Sequence, residues 1–419
     1  MSGQLLPTPL AATGAPHAAT PGWLAWAIEE VPGRALRERL GDSPVTGGRR
    51  VIDGVAMVEV TFVAHEPAGR EVMVHVNSLT DAIRTALDPA VMIPVGSSGV
   101  QTLSWWLPAD GCYSYRYWRA DQVPRDAGAT REDWFQVHRE GQRDPLNPAV
   151  LPSFDLREQS VWYGPDFRSM PWAPAGEAEE RWRLGDGIFA VLPGDERTLV
   201  LFDGRRWRAA GVASALRAAG YGHTVVAVDT GEGEQRAAFL TTADGCAPLV
   251  ERARELGGGS GEVIVAGQSF GGLACVELAT HCPGLVSAVI AQSPSLWFAG
   301  DLIPDPEAEG TLLRSLASGS KTLRVPLVVQ AGTEERGLIH GARRLASIAA
   351  QAGLLVATEE FRGGHDLAWW RHGLLSGLSV LGSATPDPGG LAPVLRGEPP
   401  GDLHQGCADQ PGYDPEQER

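Results

Sequence analysis

Long apolar runs are missing from this sequence: no uninterrupted stretch reaches the length of a membrane-spanning helix, so nothing in it reads as a transmembrane segment. Cysteine is scarce. The five thiols, Cys112, Cys246, Cys275, Cys282 and Cys407, form an odd, scattered set without metal-ligand spacing, which excludes a disulfide framework and fits reduced thiols in a cytoplasm. Cys275 and Cys282 lie close together beside one predicted helix and read as core packing. Basic charge is also short. There are 35 Lys and Arg against 51 Asp and Glu, and the formal net charge of -16 opposes nonspecific attraction to nucleic acid or to an anionic membrane. Residues 1–20 have neither a basic start nor a continuous apolar centre and do not read as a secretory signal. The expectation is a soluble cytoplasmic protein with no nucleic-acid and no membrane partner.

What remains is a chain with 43% hydrophobic residues and enough length for two domains with full cores. Residues 1–21 read as a flexible N-terminus. Apolar Trp23, Trp26, Ala27 and Leu36 in residues 22–40 suit one face of a short helix. From about 51 to 138 the pattern becomes short alternating strands, as in Val58-Glu59-Val60-Thr61-Phe62-Val63 and Tyr113-Ser114-Tyr115-Arg116-Tyr117-Trp118, with turn residues between them. That is the pattern of an antiparallel sandwich, placed over residues 22–145. Asp144-Pro145-Leu146-Asn147-Pro148 and the Trp- and Arg-containing residues after it read as a connector, 146–185. From 186 to 383 strands (198–203, 224–229, 288–292, 326–330, 356–361) alternate with helices (208–219, 247–256). With right-handed crossovers this gives a largely parallel α/β-hydrolase sheet. Residues 384–419, rich in Pro, Gly, Asp and Glu, read as a disordered tail.

The most informative segment is Val263-Ile264-Val265-Ala266-Gly267-Gln268-Ser269-Phe270-Gly271-Gly272. A β-branched strand entering G-x-S-x-G and then a helix is a nucleophile elbow, in which a tight turn lifts a serine hydroxyl above the sheet. The helix that follows aims N–H groups and its positive end at a developing oxyanion. An activated serine needs a base, and the base needs an orienting acid. In this fold they follow in the order serine, acid, histidine, which selects His365 in Phe361-Arg362-Gly363-Gly364-His365-Asp366. The acid falls on the loop after the 326–330 strand, where Glu335 is taken and Glu334 is the alternative. Asp366 reads as a cap of the last helix. The oxyanion donors are the N–H of Phe270 and that of Arg205 or Gly204. Arg205, Arg206 and Arg208 are cations beside the expected site, suited to an anionic substrate or, equally, to a solvated helix start. Trp297, Trp369 and Trp370 could wall a cleft or pack inside.

These residues resemble the enterochelin (enterobactin) esterase family. The likeness rests on Leu201-Phe202-Asp203-Gly204, the elbow, Gln292-Ser293-Pro294-Ser295-Leu296-Trp297, Gly363-Gly364-His365-Asp366, and, further upstream, Leu107-Pro108-Ala109-Asp110 and the Asp144–148 segment. The resemblance implies an immunoglobulin-like N-terminal domain and a siderophore trilactone as substrate, with iron arriving only as part of that substrate and no cofactor or metal of the protein's own. It also implies attack by Ser269 and proton transfer by His365. Gly204, Arg205, Arg206, Arg236, Trp297 and Trp369 are taken as the substrate contacts. One departure is Arg236-Ala237-Ala238-Phe239-Leu240-Thr241-Thr242, which lacks the glutamate the family commonly carries there. Two other readings stay open: a general carboxylesterase or acyltransferase of the esterase D type, and a ligand-binding protein without activity.

Overall fold

A computed structural model describes residues 43–383 apart from 67, 169, 171, 173–178, 180, 186, 260 and 301–307. The expected N-terminal helix and the tail lie outside the described residues. Two antiparallel sheets come first. One has the order β1 (Val45–Ile52), β2 (Val55–His65), β5 (Val100–Pro108), β4 (Ile93–Pro94), and the other the order β3 (Glu71–Val76), β6 (Cys112–Ala120), β8 (Glu158–Tyr163), β7 (Val150–Pro152). Side chains of a strand point alternately to its two faces, so Val58, Val60, Phe62 and Ala64 of β2 enter the same core as Tyr113, Tyr115 and Tyr117 of β6.

The same alternation turns Cys112 and Ser114 of β6 outward. There, Cys112 joins Leu151 and Val161 in an apolar cluster with Leu199, Trp207 and Trp369 of the second half of the chain. The β3-β6-β8-β7 sheet is therefore buried on both faces, one toward the sandwich and one toward the hydrolase fold.

The C-terminal sheet has the order β16 (Leu355–Phe361), β15 (Leu327–Gly332), β14 (Ala288–Gln292), β13 (Val263–Gln268), β11 (Thr198–Phe202), β12 (Thr224–Val228), β10 (Phe189–Leu192), β9 (Arg183–Leu184). Strands β16 through β12 are parallel, and β10 and β9 run antiparallel at the edge. Every residue of β13 is buried, as a central parallel strand covered on both faces requires. This is an α/β-hydrolase fold behind a β-sandwich.

Two boundaries differ from the sequence reading. Strands β7 and β8 lie in the sandwich, although the connector was expected from 146. The proline-rich 144–148 segment is an internal corner: buried Asp144 accepts hydrogen bonds from Ser43 Oγ (2.6 Å), Tyr115 Oη (2.8 Å) and Tyr117 Oη (3.1 Å) through one oxygen, and Asn147 Nδ2 donates to Val161 O. The single helix expected over 208–219 is two, α2 (Gly204–Ala209) and α3 (Val212–Ala218). The chain breaks at Gly211, whose φ of 78° no continuous right-handed helix holds. The first helix of the chain's described part, α1 (Arg131–Glu140), packs on the sandwich, and the remaining helices are α4 (Gly233–Leu240), α5 (Ala243–Leu256), α6 (Phe270–His281), α7 (Thr311–Ala317), α8 (Arg336–Gln351) and α9 (Leu367–Ser383).

Asp144→Ala strands three hydroxyls in the sandwich without their acceptor. Each orphaned buried donor costs about 1–3 kcal/mol, so a loss of at least ~3 kcal/mol in urea unfolding is expected. A loss within the ~0.5 kcal/mol of an ordinary surface substitution would contradict the corner's role.

Candidate active site

Strand registry brings the site together. Gln268 of β13 is paired with Gln292 of β14, and Gly332 of β15 with Phe361 of β16, so the turns after these four strands emerge side by side at one end of the sheet. Those turns carry Ser269, Ser293, Glu335 and His365. The ladder continues into them, with Ser269 N–H donating to Gln292 O, Ser293 N–H to Gln330 O, and Thr333 N–H to Phe361 O.

Ser269 has φ 59° and ψ -118°, a strained conformation for a non-glycine residue, held by close packing beneath it. A Cβ on Gly267 would stand 2.5 Å from the backbone of Gly271, so only glycine lets strand and helix approach this closely. The Ser269 hydroxyl is 3.2 Å from that of Ser295, and Ser295 N–H donates to Ser269 O.

Glu335 is buried, and its carboxylate is fully engaged: one oxygen accepts from Ser293 Oγ (2.7 Å) and Gly332 N–H (3.1 Å), the other lies 3.0 Å from His365 Nδ1. Trp370 Nε1 donates to the same Ser293 hydroxyl and sets its ring edge-on to His365 at 4.8 Å. A carboxylate on Nδ1 leaves Nε2 to take or give a proton.

Glu334, the alternative acid, points elsewhere. It bonds Thr333 Oγ1 at 3.2 Å, and burial pushes its carboxyl up against the opposing pull of Thr333 and Arg362. Asp366 accepts from Ala368 N–H at 2.6 Å, as a cap of α9 does, and receives the Ser114 hydroxyl of the sandwich.

The other expected contacts divide. Arg205 is exposed, and Trp297 is half-buried in a trio with Phe270 and Phe298 beside the elbow. Gly204 is buried against Ala227 and Val228. Arg206 and Arg236, expected as substrate contacts, are instead buried on Asp203: Arg236 grips it with two bonds of 2.7 Å, and Arg206 lies 3.0 Å away. Burial raises the Asp203 carboxyl, but Arg236, Arg206 and Thr230 outweigh it and hold it below the usual range. Gln268 Nε2 and Arg236 join this network to the residue before the nucleophile. Trp369 is also corrected. It is fully buried, stacked on Phe361 at 4.8 Å and bonded to Gly364 O, where it braces the histidine loop from inside.

A cavity of about 220 Å³ opens beside the 203–206 turn, lined by Phe154, Asp203, Arg205 and Arg206 among others. Phe154, which comes from the loop between β7 and β8, lies 3.3 Å under the Arg206 guanidinium.

Sequence reasoning assigned no role to Asn77 and Ser78 of the sandwich, whose side-chain oxygens accept the His365 N–H at 2.8 and 3.0 Å. Nor did it assign roles to Ser293 and Ser295, although the Gln292–Trp297 motif that contains them was recognisable.

Comparison with known proteins gives the family. The Enterochelin esterase, N-terminal model matches residues 59–177, and the Esterase model matches residues 243–381, so the two in tandem cover more than half of the chain. The chain belongs to the enterochelin esterase family. The iron(III) enterobactin esterase of Escherichia coli (strain K12) is 26% identical over 369 residues, covering 78% of this chain and 91% of that protein. That of Dickeya dadantii (strain 3937) is 27% identical over 395 residues, covering 77% and 87%. The crystal structure of the Shigella flexneri enterobactin esterase in the presence of enterobactin superposes with a TM-score of 0.68 at 22% identity, over 84% of this chain and 99% of that one, a likeness of fold. As a member of the enterochelin esterases the chain is a carboxylic ester hydrolase.

Glu335→Gln is expected to lower kcat roughly 10⁴-fold on p-nitrophenyl acetate, and Glu334→Gln less than about tenfold. The opposite ranking would move the acid to Glu334. The two glutamates also differ in their effect on stability. Because the folded pKa of Glu334 is raised, its contribution to stability is fully present below the ordinary glutamate value of 4.5 and is lost as pH rises through the folded value. Glu334→Gln should therefore gain stability relative to wild type as pH is raised from 4.5 through the folded value, read as the difference in urea midpoint. A difference independent of pH would refute the buried-carboxyl assignment.

Proposed function

We propose that this esterase hydrolyses the ester bonds of a catecholate siderophore of the enterobactin type, presented as its ferric complex, and so releases iron inside the cell. The observation that carries the reading is the Glu335–His365 pair at the same end of the sheet as the Ser269 elbow, in a chain aligned over most of its length with proteins named iron(III) enterobactin esterase.

In this mechanism the imidazole takes the Ser269 proton at Nε2 as Oγ attacks an ester carbonyl of the trilactone. Glu335 holds Nδ1–H and stabilises the imidazolium that forms. The oxyanion is met by the N–H of Phe270 and by that of Arg205. Both belong to first turns, where backbone N–H groups lack intrahelical partners. Their turns are neighbours, since a Cβ on Gly271 would lie 3.2 Å from Phe202 Cβ. Collapse of the tetrahedral species expels the serine alkoxide of the substrate, protonated by His365. Water activated by the same imidazole then cleaves the acyl-enzyme. Iron is cargo and takes part in no bond change at the carbonyl. The exposed Arg205 and the half-buried Trp297 offer charge and an aromatic face to an anionic catecholate.

The test is a chromatographic time course with apo and ferric enterobactin, run beside Ser269→Ala and p-nitrophenyl acetate. Ordered appearance of the linear trimer, dimer and monomer, absent in the variant, is expected. An intact trilactone with turnover of the simple ester would replace this reading with a general carboxylesterase, and no turnover of either with tight binding would replace it with a ligand-binding protein.

A further inference from the structure

On the far side of the loop that holds His365, three side chains with no role in the hydrolysis converge. His75 comes from β3, Asp81 from the short turn Asp81–Ile83 that follows it, and His138 from the last turn of α1. His75 Nε2 is 3.3 Å from one oxygen of Asp81 and His138 Nε2 is 3.7 Å from the other, and one donor atom from each of the three residues lies within 4.8 Å of the rest. We propose that His75, Asp81 and His138 form a binding site for a divalent transition-metal ion in the sandwich domain.

The donor set is two imidazole nitrogens and one carboxylate oxygen. That set suits Zn²⁺ and its first-row neighbours and disfavours Mg²⁺ and Ca²⁺, which are held by oxygen alone. The supporting groups of a metal site are also present. Ser78 N–H donates to one Asp81 oxygen at 2.7 Å and Trp134 Nε1–H to the other at 2.7 Å, which fixes the carboxylate while leaving lone pairs for a cation. Trp134 packs edge-on to both imidazoles, at 5.4 and 5.8 Å, and the two imidazoles stand edge to face at 4.5 Å. Rotation of either ring is restricted by this packing.

Access is from one side. The side chain of His75 is only 5% exposed, whereas those of Asp81 and His138 are 31% and 32% exposed, so an ion reaches two ligands from solvent and meets the third at the base. Burial pushes His75 toward its neutral form. Asp81 is raised by burial but held well below its ordinary value by the two histidines, so it stays ionised. Coordination takes the lone pair of each Nε2, and each ring then carries its proton on Nδ1. No motif spacing announces the set, because its members are brought together by a strand, a turn and a helix.

The site is tied to the hydrolytic loop through one residue. Ser78 gives its N–H to Asp81, and its hydroxyl oxygen accepts the His365 N–H. A cation on Asp81 therefore stabilises the turn on which the histidine loop rests.

The test uses the full chain, stripped with EDTA and dialysed against micromolar Zn²⁺ or Mg²⁺, with bound metal counted by mass spectrometry and Co²⁺ absorption as a probe of nitrogen ligation. About one Zn²⁺ per chain, no retained Mg²⁺, and a thermal midpoint that rises with Zn²⁺ are expected. His138→Ala, at a partly exposed position, should weaken Zn²⁺ uptake by more than the ~100-fold upper range for loss of an outer-shell partner alone, and abolish the thermal shift. Failure of the wild type to take up Zn²⁺ would overturn the proposal, as would equal uptake by His138→Ala, which would place the ion on other residues.

Discussion

The site depends above all on the grip of the sandwich on the loop from Arg362 to Asp366. Three contacts make it: Cys112 N–H donates to Arg362 O at 2.8 Å, Asn77 and Ser78 receive the His365 N–H, and Ser114 donates to the buried Asp366. From its own domain the loop is held by the Glu334 N–H on Gly363 O, by Trp369 on Gly364 O, and by Glu335 and Trp370 against His365. An imidazole must be placed to a fraction of an ångström to serve as a base, and glycine-rich backbone such as Gly363-Gly364 does not hold itself at that precision. The β6 strand can supply the grip because its alternate residues face opposite ways, tyrosines into the sandwich and Cys112 and Ser114 onto the hydrolase.

A second constraint lies under the nucleophile. Asp203, Arg206 and Arg236 form a buried ion network at the corner where β11 ends, joined to Gln268 by hydrogen bonds. Two cations share one carboxylate, and Asp229 and Glu232 act on Arg206 from nearby. Burying such groups is expensive, and removal of one partner leaves an uncompensated charge worth about 3–5 kcal/mol. The network thus fixes the geometry of the turn.

Much of this was legible in the sequence where local chemistry is decisive. The elbow is readable because a serine between close-packed backbones demands glycine on both sides, and the chain order of the fold singles out His365. The acid was narrowed to two neighbours and no further: adjacent residues in a tight turn point in opposite directions, and only the turn at Gly332–Glu335 decides which meets the imidazole. The pairing of Arg206 and Arg236 with Asp203 was not readable, because a cation near a site in sequence looks the same whether it faces solvent or a buried aspartate. Trp369 was taken as a substrate contact for a similar reason, since one residue of helical rotation separates it, bracing the loop from inside, from Trp370, which lies against His365. Asn77 and Ser78 left no signal at all, being 288 and 287 residues away from the backbone they hold. The Pro-Leu-Asn-Pro corner was read as part of a connector between the domains and not as a corner of the sandwich, because its buried hydrogen bonds are made with distant tyrosines.

The separation between Asn77 and His365 also orders events during synthesis. The sandwich leaves the ribosome first and can complete its own core, while the strand that carries the nucleophile follows much later. The histidine loop comes near the end of the described chain, and its seat has by then already been built. A product stalled before this loop therefore holds Ser269 on its elbow without the Glu335–His365 pair, which forms only after the loop has been made and has docked on the sandwich.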